Sequence, residues 1–186
     1  MTAPLFDTHC HLDFETFGDD LDAVMQRAKD VGVVRIATIG SGRDVASAQA
    51  AVDLAKKHPD FLVATVGVHP HDARVATDDV IAGFEALAQA PEVVAVGEVG
   101  LDFHYDHSPR DVQREVFRKF VAVAKRVKKP LTIHTREAPA ETLAILEEEG
   151  AKDVGGIIHC FSEDAAFAKR ALDLGFVASF SGIVTF

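Results

Sequence analysis

Apolar residues along this chain come in short β-branched runs separated by longer stretches in which they recur every third or fourth position. The runs PLFDTH from Pro4, VVRIATI from Val33, FLVATVGV from Phe61, VVAVGEV from Val93, PLTIHT from Pro130, GIIHC from Gly156 and FVASFS from Phe176 predict seven strands. Between them, Leu21, Val24, Met25, Ala28 and Val31 form one helical stripe, and Val116, Phe120, Val123 and Val127 form another. The second stripe opens on SPRD, where Ser108 predicts an N-cap, Pro109 the first helical position, and Asp111 a charge suited to the positive helix end. Ala168 and Leu172 mark a sixth helix that Gly175 stops.

Nearly continuous apolar strands alternating with amphipathic helices predict a parallel α/β sheet covered by helices. Two architectures share that alternation: the closed (β/α)8 TIM barrel and the doubly wound open sheet. No glycine fingerprint follows the first strand, which weighs against a nucleotide-binding open sheet. A barrel typically takes about 250 residues and eight strands, whereas this chain of 186 residues stops at SFSGIVTF, just after the seventh run. The expectation is therefore one domain over residues 1–186. If it is a barrel, it is incomplete, without a seventh helix, eighth strand and eighth helix, and with strands one and seven as edges.

Composition changes that picture little. The net charge of -10 gives no bulk attraction for a polyanion, so a nucleic-acid partner requires bound cations or a local basic patch. Two cysteines, Cys10 and Cys160, give no disulfide framework, which makes a reducing, cytoplasmic setting the default expectation. No run is long enough to span a bilayer, and no obligate protein partner is evident.

The polar residues placed on those strands do change the picture. His9 and His11 fall at the end of the first predicted strand, Glu98 at the end of the fourth, His134 of the fifth and His159 of the sixth. Carboxyl ends of strands are where barrel enzymes build their sites. Side chains alternate along a strand, so His9 and His11 share a face, while Cys10 and Cys160 are expected toward the helices as small buried apolar residues. Imidazoles suit zinc and similar divalent ions, and a carboxylate such as Glu98 can bridge two of them. A lone strand histidine is commonly a satisfied core residue; five ligand-type residues on four strand ends facing one mouth are a different matter.

The segments FDTHCHLD, GVHPHDA, GEVGLDFHYD, PLTIHTREA, IIHCFS and FSGIVTF resemble, in order and approximate spacing, the TatD family of metal-dependent hydrolases, the TatD DNases, over essentially the whole chain. The resemblance implies a (β/α)8 barrel with two divalent ions, Zn, Mg or Mn. It implies His9, His11 and Glu98 for one ion, and Glu98, His134 and His159 for the other. The family's remaining ligand, an aspartate in a motif like ETD, has no counterpart before Phe186. This chain is therefore expected to be impaired relative to a complete protein. Asp7, two residues before His9 on the same face, is expected in a supporting role. Glu163 and Asp164, where family members often have glycine, are expected to cap the sixth helix.

A divalent ion lowers the pKa of bound water from 15.7 to about 7 and stabilises charge on a phosphoryl oxygen, which suits phosphodiester hydrolysis, with DNA as the expected substrate. Glu98 and Asp102 are the catalytic candidates, Asp102 orienting a water or accepting its proton, against a plain turn-forming role of equal weight. His69, His71 and Arg136 are candidate substrate contacts, Arg136 through its planar fork. His104 lines the same mouth, while His58 and His107 read as ordinary loop residues. Two alternatives stay open. One is an amidohydrolase-like ester or amide hydrolase, aminoacyl-tRNA included, although many such enzymes carry a modified lysine where this chain has Glu98. The other is an inactive barrel serving as a binding module.

Overall fold

The computed structural model describes residues 3–12 and 15–186. Asp13, which closes the FDTHCHLD motif, lies outside them. Seven strands occur where the apolar runs predict them: β1 (Leu5–Cys10), β2 (Val33–Ser41), β3 (Leu62–Gly67), β4 (Val93–Asp102), β5 (Leu131–Arg136), β6 (Gly156–Ile158) and β7 (Phe176–Ala178). All pair in parallel in sequential order, β1 through β7, the half-barrel form of the (β/α) architecture. Sequential order is the barrel alternative; a doubly wound sheet would reverse direction partway.

Six helices cover the sheet: α1 (Leu21–Asp30), α2 (Val45–Lys57), α3 (Asp78–Leu87), α4 (Arg110–Val127), α5 (Pro139–Glu148) and α6 (Ala165–Asp173). The α4 stripe is buried as predicted, with Val116, Phe120 and Val123 against the sheet and Phe120 edge-on to Phe84 of α3. Two stripe residues face outward instead. Val31 stands just past the end of α1, and Leu172 points to solvent while Phe167 and Ala171 bury the inner face of α6.

Strand lengths differ from the prediction in a way that matters. The fourth strand runs on through Asp102, so Glu98 lies inside it and is only 3% exposed. Conversely β6 and β7 are three residues each, and His159 is the residue after β6, its amide donating to Ile133 O at 2.8 Å. The sheet curls until β1 and β7 face one another across a groove of about 650 Å³, where the Thr8 hydroxyl donates to the Ser179 hydroxyl at 3.2 Å. Among the described residues β1 and β7 do not pair, which matches the expectation of two free edges.

Candidate metal centre

Glu98 occupies the middle of the site because β4 presses against β5. Gly97 and Gly100 flank it with φ of 144° and 140°, and a Cβ on either would collide with the backbone oxygen of Thr132 or His134. Only glycine permits that approach. The pairing register between β4 and β5 slips between Val96 and Val99, the kind of irregularity that re-aims a side chain beside a site.

Four imidazoles surround the Glu98 carboxylate. His134 Nδ1 lies 3.0 Å and His69 Nε2 3.7 Å from Oε1, while His9 Nε2 lies 3.4 Å from Oε2. His159 stacks on His9 with ring centroids 3.4 Å apart and planes 15° from parallel. Two groups of three follow, each with its donor atoms within 4.8 Å of one another: His9, Glu98, His159 and His69, Glu98, His134. This grouping differs from the one the resemblance implies. The curl of the sheet carries the β1 margin over to β6, so His9 meets His159, and His69 joins Glu98 and His134. His11 stands edge-on to His9, with centroids 5.1 Å apart. His69 is thus a ligand-type residue of the centre as well as a candidate substrate contact. Its place at the end of GVH, directly after β3, was the available signal.

Burial and neighbours set the charges. Burial pushes His69 down to about 4. His159 falls likewise to about 4 through burial and the adjacent His9. Burial also opposes charge on His134, but hydrogen bonds to Asp102 and Glu98 outweigh it and raise that ring to about 9. Burial favours a protonated Glu98, yet His134 and His9 outweigh it and hold the carboxylate well below its usual range. The centre therefore combines a fixed anion with His69 and His159 neutral at pH 7, each with a lone pair for a Lewis acid. His134 must give up its proton to bind one.

The donor set fits divalent ions on an independent observation. The Nδ1 atoms of His9 and His159 are buried with no hydrogen-bond partner, a costly state for a polar atom unless a ligand satisfies it. Imidazole and carboxylate together suit zinc, manganese and similar ions.

Asp102 ends β4 and is 1% exposed. Its Oδ2 accepts from His71 Nε2 at 2.9 Å and His134 Nε2 at 3.2 Å, and its Oδ1 accepts from the amides of His104 at 3.0 Å and Tyr105 at 2.9 Å. Burial opposes its charge, but the bonds from His134, the Tyr105 amide and His71 win, so the carboxyl stays far below its ordinary value. A carboxylate so fully engaged orients two histidines and one loop.

Two supporting residues had no clear signal in the sequence. Gln113, 1% exposed on α4, accepts from the Asp102 amide at 2.8 Å and donates to Asp102 O at 3.0 Å and Ser108 O at 2.9 Å. Ser108 does not cap α4, which begins one residue past Pro109 without a side-chain cap. Its hydroxyl donates to His71 O at 2.8 Å and accepts from the Arg74 amide at 3.1 Å, tying α4 to the Pro70–Val75 turn. Long-range contacts of this kind replace a local cap that the sequence motif suggests.

Asp7 Oδ1 accepts from the His9 amide at 3.0 Å and fixes the end of β1. Asp164 caps α6, accepting from the Phe167 amide at 2.8 Å; Glu163 does not, and burial beside Asp164 raises its carboxyl. Cys10 packs half-buried against the core. Cys160 is not a buried core thiol: it sits half-buried in a left-handed turn, with Sγ 2.8 Å from the Ser181 hydroxyl. His107 is no ordinary loop residue, since its ring stands 4.6 Å from that of His71. No helix among the described residues is long and apolar enough to cross a membrane.

The chain also has known relatives. The chain is 44% identical over 182 residues to YabD, an uncharacterised metal-dependent hydrolase of Bacillus subtilis, covering 98% of this chain and 70% of that one. It is 34% identical over 180 residues to the 3'-5' ssDNA/RNA exonuclease TatD of Pantoea vagans, covering 97% and 68%. The crystal structure of YJJV, a TatD homolog from Escherichia coli, superimposes with a TM-score of 0.89 at 29% identity, over 98% of this chain and 70% of that one. The model of the family described as TatD related DNase matches residues 6–186. The chain belongs to the TatD-related DNase family of metal-dependent hydrolases.

Proposed function

We propose that this chain carries the centre of a divalent-metal-dependent phosphodiesterase acting on single-stranded nucleic acid, with DNA as substrate and two ions held around Glu98. The observation that carries the reading is Glu98, buried and common to both groups of ligand-type residues. One group takes His9 and His159, with His11 beside it; the other takes His69 and His134. Divalent ions there would supply water acidified toward neutrality and positive charge against the phosphoryl oxygens.

The chain's own residues do the positioning. Glu98 supplies the negative charge that both groups share. Asp102 holds His134 by its Nε2, leaving Nδ1 toward Glu98, the arrangement in which a carboxylate fixes a ligand's ring. His71, held by the same carboxylate, faces the mouth together with Arg136, and both are substrate contacts in this reading. The nucleic-acid substrate is supported by the name of the Pantoea relative, and bound cations would offset the net charge of -10, which by itself gives no attraction for a phosphodiester.

The test is metal-supplemented hydrolysis of single-stranded DNA, compared with a carboxylic ester such as aminoacyl-tRNA, by this chain and its Glu98→Ala variant, with bound metal counted. The expected result is cleavage of DNA, two ions per chain, and loss of both metal and activity in the variant by more than about a hundredfold. That exceeds the loss typical of a residue that merely supports a ligand. Full activity or full metal content in Glu98→Ala, or hydrolysis confined to the ester, would overturn the reading.

A further inference from the structure

The loop after β4 carries His104, Tyr105 and His107, three side chains that the reading above leaves without a role. Tyr105 is 50% exposed, although its backbone is pinned to Asp102 Oδ1. His71 and His104 stand edge-on to its ring, with centroids 5.5 and 4.7 Å away, and His107 lies parallel to it within 3° at 5.6 Å. The Arg136 guanidinium lies over the ring, its carbon 4.7 Å from the ring centre, so one face already carries a cation and the exposed half of the ring is what remains for a base. Arg136 is exposed and, among the described residues, has no carboxylate partner. His71 and Asp102 lie between this cluster and the centre: the His71 ring is 4.3 Å from that of His69 and 6.4 Å from that of His134, and Asp102 bonds both the Tyr105 amide and His134.

A large aromatic ring held rigid but half in solvent gains little from burial. Its value lies in offering a flat π-face. Every nucleobase has such a face, so stacking on tyrosine or histidine recognises single strands with little regard to sequence. A guanidinium stacked over that ring and without a carboxylate partner among the described residues keeps its N–H fork available for a phosphate.

We propose that Tyr105, flanked by His107 and with Arg136 beside it, is a stacking subsite for the base next to the scissile phosphodiester of a single-stranded nucleic acid, Arg136 taking the neighbouring phosphate. The inference rests on the phosphodiesterase reading above and names how that substrate is held. Tyr105 is a positioning residue, outside the reacting atoms.

Tyr105 is the single tyrosine of a chain without tryptophan, so intrinsic fluorescence reports on this subsite alone. Two probes are compared: a thymidine oligonucleotide and the same backbone with abasic sugars. The expected result is saturable quenching at several-fold lower concentration of the thymidine strand than of the abasic one. In hydrolysis, Tyr105→Ala is expected to raise KM for the thymidine strand about tenfold, as the loss of one stacked base does, with kcat nearly unchanged and little effect on the abasic strand. Tyr105→Phe, which keeps the ring, should behave as the wild type. Equal quenching by both probes, or an equal rise of KM on both strands in Tyr105→Ala, overturns the subsite. Preferential quenching by the thymidine strand without any cleavage would instead sink the phosphodiesterase reading and leave the subsite standing.

Discussion

Where β3, β4 and β5 run side by side, Val66, Val96, Val99, Leu101, Leu131 and Ile133 are all but fully buried between the helix layer and the interior. At the other margin the sheet thins to three-residue strands β6 and β7. There Leu5 and Phe6 of β1, Val177 of β7 and Phe180 beyond it stand about half exposed or more along the groove. The centre straddles the two regions. Glu98, His134 and Asp102 stand over the packed region joined by hydrogen bonds of 3.0 and 3.2 Å, and His69, which accepts from the His71 amide, lies 3.7 Å from Glu98. His9 and His159 stand on the thin margin, stacked on each other and, at Nδ1, unsatisfied. The packed region thus arrives with its ligand-type side chains oriented by protein. The margin leaves its own pair without that support.

Phe120→Ala removes a fully buried ring between α3 and α4 and should cost about 3–5 kcal/mol in chemical unfolding. A cost below about 1 kcal/mol would mean that the packed region is not where the stability lies.

Asp102→Asn probes the orienting network. On the two-ion proposal, the expected loss in metal affinity is about 10–100-fold, confined to the His69 and His134 group, and measurable by competition with a chelating dye. An equal loss at the His9 and His159 group would show the two regions to be one coupled unit.

At the margin, Phe180→Ser should change stability by less than about 0.5 kcal/mol, because its ring is 66% exposed. A large loss in the same unfolding measurement would mean that the groove is packed in solution.

The smallest expected effect is electrostatic. Burial and Asp164 raise the Glu163 carboxyl, so the folded chain holds this proton more tightly than the unfolded one. That contribution lowers stability as pH rises through the raised value, and it is absent below the ordinary carboxylate range. Glu163→Gln should therefore stabilise the chain at pH 7 by about a few tenths of a kcal/mol, since a half-exposed group is screened, and by nothing near pH 3. Thermal midpoints at the two pH values check it; stabilisation at both would rule out titration as the cause.

Much of this was legible in the sequence because it depends on local pattern. Seven β-branched runs gave seven strands, and their order and alternation with helices gave a parallel sheet. The ligand-type residues were legible too, since side-chain alternation along and just past the strands points to His9, Glu98, His134 and His159, although the fourth strand runs on past Glu98. What alternation cannot supply is distance. That His159 stacks on His9, that His69 stands beside Glu98, and that His107 meets His71 follow from how far the sheet curls and where its register slips between Val96 and Val99.

Strand and helix periods, the glycines around Glu98 and the identity of the ligand-type side chains were set by the sequence by itself, because each reflects backbone sterics or chemistry carried within a few residues. Which imidazoles share the Glu98 carboxylate, which of them are neutral, and how Gln113 and Ser108 brace Asp102 and His71 were decided only by tertiary structure. Those outcomes depend on groups far apart in the chain meeting in a buried, weakly screening interior, where ångström differences in separation settle both charge and partner.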